Sequence, residues 1–112
     1  MPHFFFKLNP PRPTFSQDMS EPERKLMDEH VRYWKALQEQ GFVLVYGPVF
    51  DAKGSWGMGI MESEDIAAAR EFAANDPTIK AGLHTIEVSP MKAVLPEYWA
   101  HIREATRAAG SS

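Results

Sequence analysis

Two hydrophobic periodicities alternate along this chain, and their order leaves few folds open. Short runs rich in phenylalanine or valine predict strands, whereas apolar residues that recur every three or four positions predict helices. Helices separate the first strand from the second and the third from the fourth, so the order is β-α-β-β-α-β. This order is typical of the ferredoxin-like, or split βαβ, α+β fold with a four-stranded antiparallel sheet. The predicted strands are residues 3–8, 42–50, 56–61 and 83–91.

The first helix has a clear start signal. Ser20 is followed three residues later by Glu23, a capping box that satisfies two backbone N–H groups of the first turn. Gly41 marks the end of the helix. His30 lies within the apolar stripe of this helix, so we expect its ring to face the interior. The stripe consists of Leu26, Met27, Val31, Tyr33, Trp34 and Leu37.

The second helix is predicted to begin after Ser63 as its N-cap and to end before Pro77, because the residue preceding a proline avoids the helical region. Asp76 then follows a helix C-terminus. The negative end of the helix dipole disfavours a carboxylate there by roughly a few tenths of a kcal/mol unless the carboxylate is paired. We therefore expect Asp76 to have a cationic or N–H partner.

Pro48 restricts the order of the strands, because its missing N–H cannot join a ladder inside a sheet. The second strand is therefore expected at an edge, where the split βαβ topology also puts it. A further amphipathic helix is predicted over about residues 96–108, and residues 110–112 form a short polar tail. No internal repeat or linker divides the chain, so residues 1–112 are predicted to form one domain.

The composition excludes several functional classes. The chain has 112 residues, of which 44% are hydrophobic and 24% charged, and its net charge of -3 makes it a poor binder of nucleic acid. The absence of cysteine removes disulfides, thiolate nucleophiles and zinc–thiolate sites, and is compatible with a reducing cytoplasm. No segment has the pattern of a membrane span or a signal peptide. We expect a cytoplasmic protein with no membrane partner.

The other three histidines carry no metal-site signal. His3, His84 and His101 stand at no metal-ligand spacing with His30, and His84 lies on one face of the predicted fourth strand with Ile86 and Val88. The chain has no glycine loop for phosphate, nucleophile elbow or dinucleotide fingerprint. We predict no metal and no cofactor. Haem or flavin use is an alternative that colour in the purified protein would reveal.

The predicted topology brings several chemical groups toward one end of the sheet. The proline-rich loop, Gly47, Pro48 and Asp76 gather there, while His30 stands roughly 14 Å along the first helix. Contact between His30 and Asp76 is compatible with this arrangement but not required by it. If they meet, Asp76 accepts one ring N–H and leaves the other nitrogen as a base. The alternatives are a core histidine and an Asn75-Asp76-Pro77 turn that only ends a helix.

An apolar pocket for a small aromatic or lactone-like molecule is a second possibility near this end. Aromatic residues at helical spacing are more often plain core. Gly57 and Gly59 leave space on one face of the third strand for a ligand or, more commonly, for a closely packed helix. Arg12 is either a contact for an anionic ligand or a solvated loop residue. Tyr46 is a further candidate for the lining, and the candidate substrate-binding residues are Arg12, Phe15, Tyr33, Trp34, Gly47, Pro48 and Trp56.

An ordered set of short motifs resembles the YCII-related (YciI-like) family of the dimeric α+β barrel superfamily. The set covers nearly everything from the first strand to the fourth. The resemblance implies that His30 and Asp76 are a catalytic pair, while the long proline-rich loop and the terminal helix depart from the family, so no substrate is carried over. The motifs are Arg12-x-x-Phe15, Glu23, Met27-x-x-His30-x-x-Tyr33-Trp34, Gly41, Gly47-Pro48-Val49, Gly54, Asp76-Pro77 and Pro90-Met91.

The resemblance also implies a homodimer, and the first strand supports it. This strand is apolar on both faces through Phe4, Phe5, Phe6 and Leu8, whereas the two helices cover only one side of the sheet. A second subunit would cover the other side.

Two functions are consistent with these residues. The first is a cofactor-independent enzyme of the isomerase or lyase type, in which His30 transfers a proton on a small cyclic or aromatic metabolite and Asp76 orients the imidazole. The alternative is a module that binds a small molecule without catalysis, or a structural dimer module, in which the contact between His30 and Asp76 is only a structural lock.

Overall fold

Four antiparallel strands form one sheet in the computed structural model, which describes residues 1–110. Their spatial order is β2-β3-β1-β4, with β1 paired to both β3 and β4 and β2 paired to β3. The predicted split βαβ fold is therefore confirmed. The predicted polar tail ends at Ser111 and Ser112, which lie outside the described residues. The strands are β1 (His3–Asn9), β2 (Val43–Val49), β3 (Trp56–Glu62) and β4 (Thr85–Met91).

Strand β2 lies at an edge of the sheet, as Pro48 predicts. Pro48 stands opposite Gly57 of β3, and the register between β2 and β3 shifts between Val43 and Val45. An edge strand tolerates proline because it has a neighbouring strand on one side only. On its other side no ladder hydrogen bond is lost when the N–H is missing.

Helices occupy all three chain segments where the sequence predicts them, together with two short helices that it does not predict. The capping box is present at the start of the longest helix: Ser20 Oγ accepts the N–H of Glu23, and the Glu23 carboxylate accepts the N–H of Ser20. The terminal helix begins three residues after its predicted start. Within residues 1–110 the helices are α1 (Phe15–Asp18), α2 (Glu21–Glu39), α3 (Ile66–Ala74), α4 (Pro77–Lys80) and α5 (Trp99–Gly110).

One prediction about helix ends was wrong, and one was incomplete. The N-cap of α3 is Asp65, which accepts the N–H of Ala68 at 2.8 Å, while the predicted cap Ser63 is buried and donates to the Asp65 carbonyl. Asp76 does more than follow a helix, because it is also the N-cap of α4. The same Pro77 that ends one helix begins the next, since proline suits the first helical position, where no N–H is needed.

The helices α2 and α3 pack on one face of the sheet and enclose the core. Phe6 stacks on Trp34 with ring centroids 4.5 Å apart. Gly59 stands opposite Phe6, and a Cβ there would lie 2.1 Å from the Phe6 ring, so this glycine admits an aromatic side chain rather than a helix or a ligand. The buried core consists of Phe4, Phe6, Leu8, Trp34, Leu37, Val43, Met61 and Ala69.

The opposite face of the sheet carries Phe5, Ile60 and Val45 in one row across three strands. The helix α5 is joined to the body by Arg103, which donates to the Glu62 carboxylate at 2.9 Å and to the Gly41 carbonyl. None of the helices within residues 1–110 has the length and apolar character needed to cross a bilayer.

Candidate active site

The structure brings His30 and Asp76 into contact. His30 Nδ1 lies 2.6 Å from Asp76 Oδ2, although the two residues are 46 positions apart in the sequence. His30 extends from the buried stripe of α2, and Asp76 is held at the junction of α3 and α4. Asp76 is fully buried and His30 nearly so. The imidazole of His30 is therefore one of the N–H partners expected for Asp76.

The Asp76 carboxylate accepts four hydrogen bonds. Oδ2 accepts from His30 Nδ1 and from Trp34 Nε1, each at 2.6 Å. Oδ1 accepts the backbone N–H and the hydroxyl of Thr78, each at 2.8 Å. A carboxylate has about four lone-pair sites, so these donors saturate it and fix its orientation. Asp76 can therefore orient His30, but it is not free to bind a ligand itself.

These hydrogen bonds also decide the charge of Asp76. Burial by itself would raise the pKa of this carboxyl, but the hydrogen bond and charge of His30, together with hydrogen bonds from Trp34 and Thr78, outweigh burial and lower the pKa below its ordinary value. Asp76 is therefore ionised at neutral pH and only accepts hydrogen bonds. Nδ1 of His30 carries the proton of that contact, so in neutral His30 the lone pair is on Nε2.

A cavity of about 260 Å³ lies beside His30, on the helix-covered face of the sheet. Its lining is mostly apolar, and the imidazoles of His30 and His84 are among its few polar groups. One wall comes from β1, β2 and β3, another from α2, and a third from the loop of residues 10–19. The apolar lining includes Phe6, Leu8, Phe15, Met19, Met27, Val31, Tyr46 and Trp56.

Several of the candidate substrate-binding residues line this cavity. Phe15, Gly47, Pro48 and Trp56 do so, and so does Tyr46. Phe15 is buried although it belongs to the short helix α1 of the loop. The sequence could propose these residues because strand and loop positions at one end of a split βαβ sheet converge.

Arg12, Tyr33 and Trp34 lie outside the cavity lining. Trp34 is completely buried between Phe6 and Asp76, so it helps to position the carboxylate. The hydroxyl of Tyr33 donates to the Phe72 carbonyl at 2.6 Å. Burial, with the charges of Asp76 and Glu71 nearby, raises the pKa of Tyr33 to about 12. Neither ring lines the cavity, because both side chains pack inside the protein.

Arg12 fastens the loop that closes the cavity. Its guanidinium donates two hydrogen bonds of 2.9 Å to the Glu23 carboxylate and one of 2.8 Å to Asp18. The hydrogen bond from Arg12 is the main reason why the pKa of Glu23 is lowered to about 2. Arg12 therefore forms an ion pair between the loop and α2, while its side chain stays partly exposed.

His84 is the site residue whose role the sequence did not indicate. It is buried, lines the cavity, and its ring centroid lies 6.4 Å from that of His30. Burial and the nearby His30 lower the pKa of His84 to about 4, against opposing influences from Asp76 and Glu23. Alternation along β4 indicated an inward side chain, but no local pattern indicated that it would lie beside His30. Within residues 1–110, no group of three or more histidine or acidic side chains is arranged to hold a metal ion.

Comparisons with known proteins agree with this fold. The model of the YCII-related domain matches residues 4–92. The solved 5-chloro-2-hydroxyhydroquinone dehydrochlorinase TftG from Burkholderia phenoliruptrix AC1100, in complex with 2,5-dihydroxybenzoquinone, is 23% identical, with a TM-score of 0.55 over 81% of this chain and 95% of that chain. SnoaB, a cofactor-independent oxygenase from Streptomyces nogalater, is 13% identical, with a TM-score of 0.47 over 85% of this chain and 94% of that chain. No curated protein sequence matched the chain.

Proposed function

This chain belongs to the YCII-related domain family, and from that premise we propose that it is an enzyme that transfers a proton on a small ring compound. His30 is the general base or acid, and Asp76 positions its imidazole. The observation that carries the proposal is the 2.6 Å hydrogen bond between His30 Nδ1 and a buried, saturated carboxylate, at the wall of an apolar cavity. A histidine oriented in this way has one defined tautomer and a free Nε2.

The size and lining of the cavity support a compound of about one ring. An engineered apolar cavity of roughly 150 Å³ in another protein holds benzene. The cavity beside His30 measures about 260 Å³, which leaves room for a few substituents. The 2,5-dihydroxybenzoquinone bound by the Burkholderia dehydrochlorinase is a molecule of this size. We therefore propose hydroxylated or quinonoid single rings as the substrate class.

The reaction begins when His30 Nε2 takes a proton from a ring carbon or a ring hydroxyl. The electron pair of the broken bond then moves into the ring system. In an isomerisation, the ring then takes the same proton back at another atom. In an elimination, the electron pair expels a leaving group from the ring. The charge of Asp76 stabilises the imidazolium that forms in either case. Neither reaction consumes an oxidant or a reductant, and neither route needs a cofactor.

The test uses His30→Asn. The amide nitrogen of asparagine stands near the position of Nδ1, so this variant keeps a donor for Asp76 but has no base on the cavity side. We expect turnover of chlorinated dihydroxybenzenes or benzoquinones to fall by about 100- to 10,000-fold. His101→Asn, at an exposed position of α5, is the matched control and keeps full activity. Equal turnover by His30→Asn and the wild type would rule out the proposed role.

The four hydrogen bonds of Asp76 also favour a second candidate, a module that binds a small molecule without catalysis. Such saturation is what a structural lock between α2 and α4 requires. In that case the wild type binds ring compounds but turns over none of them, and His30→Asn changes only the melting temperature. Turnover of any of these dihydroxybenzenes or benzoquinones by the wild type would rule out the module without catalysis.

We propose further that the protein is a homodimer formed through the sheet face opposite the helices. This face presents the row of Phe5, Ile60 and Val45, and Val45 is 47% exposed. A contiguous apolar face of this kind is typical of an interface. A cytoplasmic location stays a prediction.

A further inference from the structure

His84 is a buried polar residue of the cavity that the proposed proton transfer does not use. Its side chain contributes to the cavity lining, yet only 5% of the residue is exposed. Its Nδ1 is buried and has no hydrogen-bond partner within residues 1–110. The great majority of buried polar atoms in native proteins have a partner, so the orphaned Nδ1 limits which tautomer this ring adopts beside the cavity.

The surroundings of His84 determine what its ring can offer. Phe15 packs edge-on against the His84 ring, with centroids 5.1 Å apart. The backbone N–H of His84 donates to the Thr78 carbonyl. Burial lowers its pKa to about 4, so at neutral pH the ring is uncharged and carries one proton. An orphaned N–H is rarer in protein interiors than an under-used acceptor. The favoured tautomer therefore has the lone pair on the closed-off Nδ1 and the proton on Nε2.

We propose that His84 is a second substrate-contacting residue, which donates an Nε2–H hydrogen bond to an oxygen substituent of the ring compound. This inference rests on the proposed function and adds the feature that the substrate must carry. His30 and His84 stand nearly parallel, with 27° between their planes and 6.4 Å between their centroids. One ring can therefore reach both imidazoles with neighbouring substituents.

The two histidines then have opposite roles. Asp76 accepts a hydrogen bond from the Nδ1–H of His30, so Nε2 of His30 is left as an acceptor. His84 has no acceptor at Nδ1, so its Nε2 is a donor. The site removes a proton at one position and donates a hydrogen bond to the oxygen at the next, where negative charge develops. Its substrate is thus a hydroxylated or carbonyl-bearing ring, and a plain hydrocarbon ring binds without this contact.

Phenol and toluene test the contact, because they differ mainly in a hydroxyl against a methyl group. Their affinities are measured by calorimetry with the wild type, His84→Gln and His84→Asn. The glutamine amide reaches the position of Nε2, whereas the asparagine amide reaches only that of Nδ1. We expect His84→Gln to keep the preference for phenol, and His84→Asn to lose about three- to tenfold in phenol affinity with toluene unchanged. A wild type without preference for phenol, or equal phenol affinity in all three proteins, would overturn the assignment.

A measurement on the unmodified protein avoids any effect of substitution on folding. In protein labelled with ¹⁵N at histidine, long-range ¹H–¹⁵N spectra report the tautomer of His84. We expect the proton on Nε2 and a shift of that nitrogen on addition of phenol but not of toluene. A proton on Nδ1, or identical responses to both compounds, would contradict the proposal.

The outcomes for His30 and His84 are separable. Loss of turnover in His30→Asn with unchanged phenol binding in His84→Asn rejects the role of His84 alone. Full turnover in His30→Asn with a lost phenol preference in His84→Asn rejects the proposed catalysis and leaves the contact of His84 intact.

Discussion

Asp76 is saturated by donors from two directions, and this makes it the most constrained residue of the site. His30 and Trp34 donate from α2, and Thr78 donates from the helix that Asp76 itself caps. Asparagine has almost the same shape as aspartate but no charge. Its NH2 group would therefore point at groups that are themselves hydrogen-bond donors. The consequences for stability depend on pH, because the carboxylate is favoured only in its ionised form.

We expect Asp76→Asn to lower the free energy of unfolding by about 1–3 kcal/mol at pH 7, because at least one buried donor loses its acceptor. Asp65→Asn is the matched control. Asp65 is an exposed N-cap, and asparagine caps a helix about as well as aspartate, so its effect should stay within about 0.5 kcal/mol. Urea unfolding of the three proteins measures both values.

The pH dependence of the Asp76→Asn effect has a definite sign. The pKa of Asp76 is lowered in the folded protein from the ordinary value of 3.8, so its ionisation contributes stability above that pH. This contribution is lost as the pH falls through the lower folded value. The difference in stability between wild type and variant should therefore shrink as the pH falls below about 4, and a difference that grows in acid would contradict the assignment.

At the scale of elements, the loop of residues 10–19 is the part of the cavity wall with its own fastening. Phe15 and Met19 cover the cavity, while Arg12 ties the loop to the first turn of α2 through Glu23. Glu23 thus has two functions, since it also completes the capping box with Ser20. One residue couples the start of a helix to the closure of the cavity.

Glu23→Gln separates these two functions, because glutamine completes a capping box but does not form an ion pair. We expect hydrogen exchange of the backbone in residues 10–19 to become about two- to fivefold faster, as for the loss of an exposed ion pair. Exchange in α2 should change little. Glu21→Gln makes the same change two residues earlier and serves as the control. Unchanged exchange in the loop would show that Arg12 does not fasten it.

At the scale of the whole molecule, the two faces of the sheet differ. Helices α2 and α3 bury one face around Phe6 and Trp34, whereas the other presents Val45 to the surface. The row of Phe5, Ile60 and Val45 across three strands of this face is typical of a surface covered by a second subunit. The dimer proposed above belongs to this scale.

We expect the wild type to have the mass of a dimer in light scattering coupled to gel filtration. Val45→Arg should convert it to a monomer, because the new charge would be buried without a partner. Ala67→Arg, on the exposed side of α3, should remain dimeric. A monomeric wild type, or the same mass for both variants, would contradict an interface at this face.

Local chemistry was enough to predict much of the fold. The capping box at Ser20 and Glu23 and the missing N–H of Pro48 act within a few residues, so the sequence alone could indicate the start of α2 and the edge position of β2. The short helix α4 was not predicted because a proline can follow the end of one helix or occupy the first position of the next. Pro77 does both, and the sequence indicated only the helix end. The sequence did not distinguish Asp65 from Ser63 as the N-cap of α3, because both residue types cap helices well.

The sequence by itself determined the order of the strands and the three longer helices, the ferredoxin-like fold and the inward direction of His30, since these depend on periodicity and backbone chemistry. Only the tertiary structure decided which side chains share the cavity. The contact of His30 with Asp76 joins residues 46 positions apart. His84 lies beside His30, and Arg12 beside Glu23, because different elements pack together. Periodicity indicates which face of an element turns inward, but not which side chain of another element meets it there.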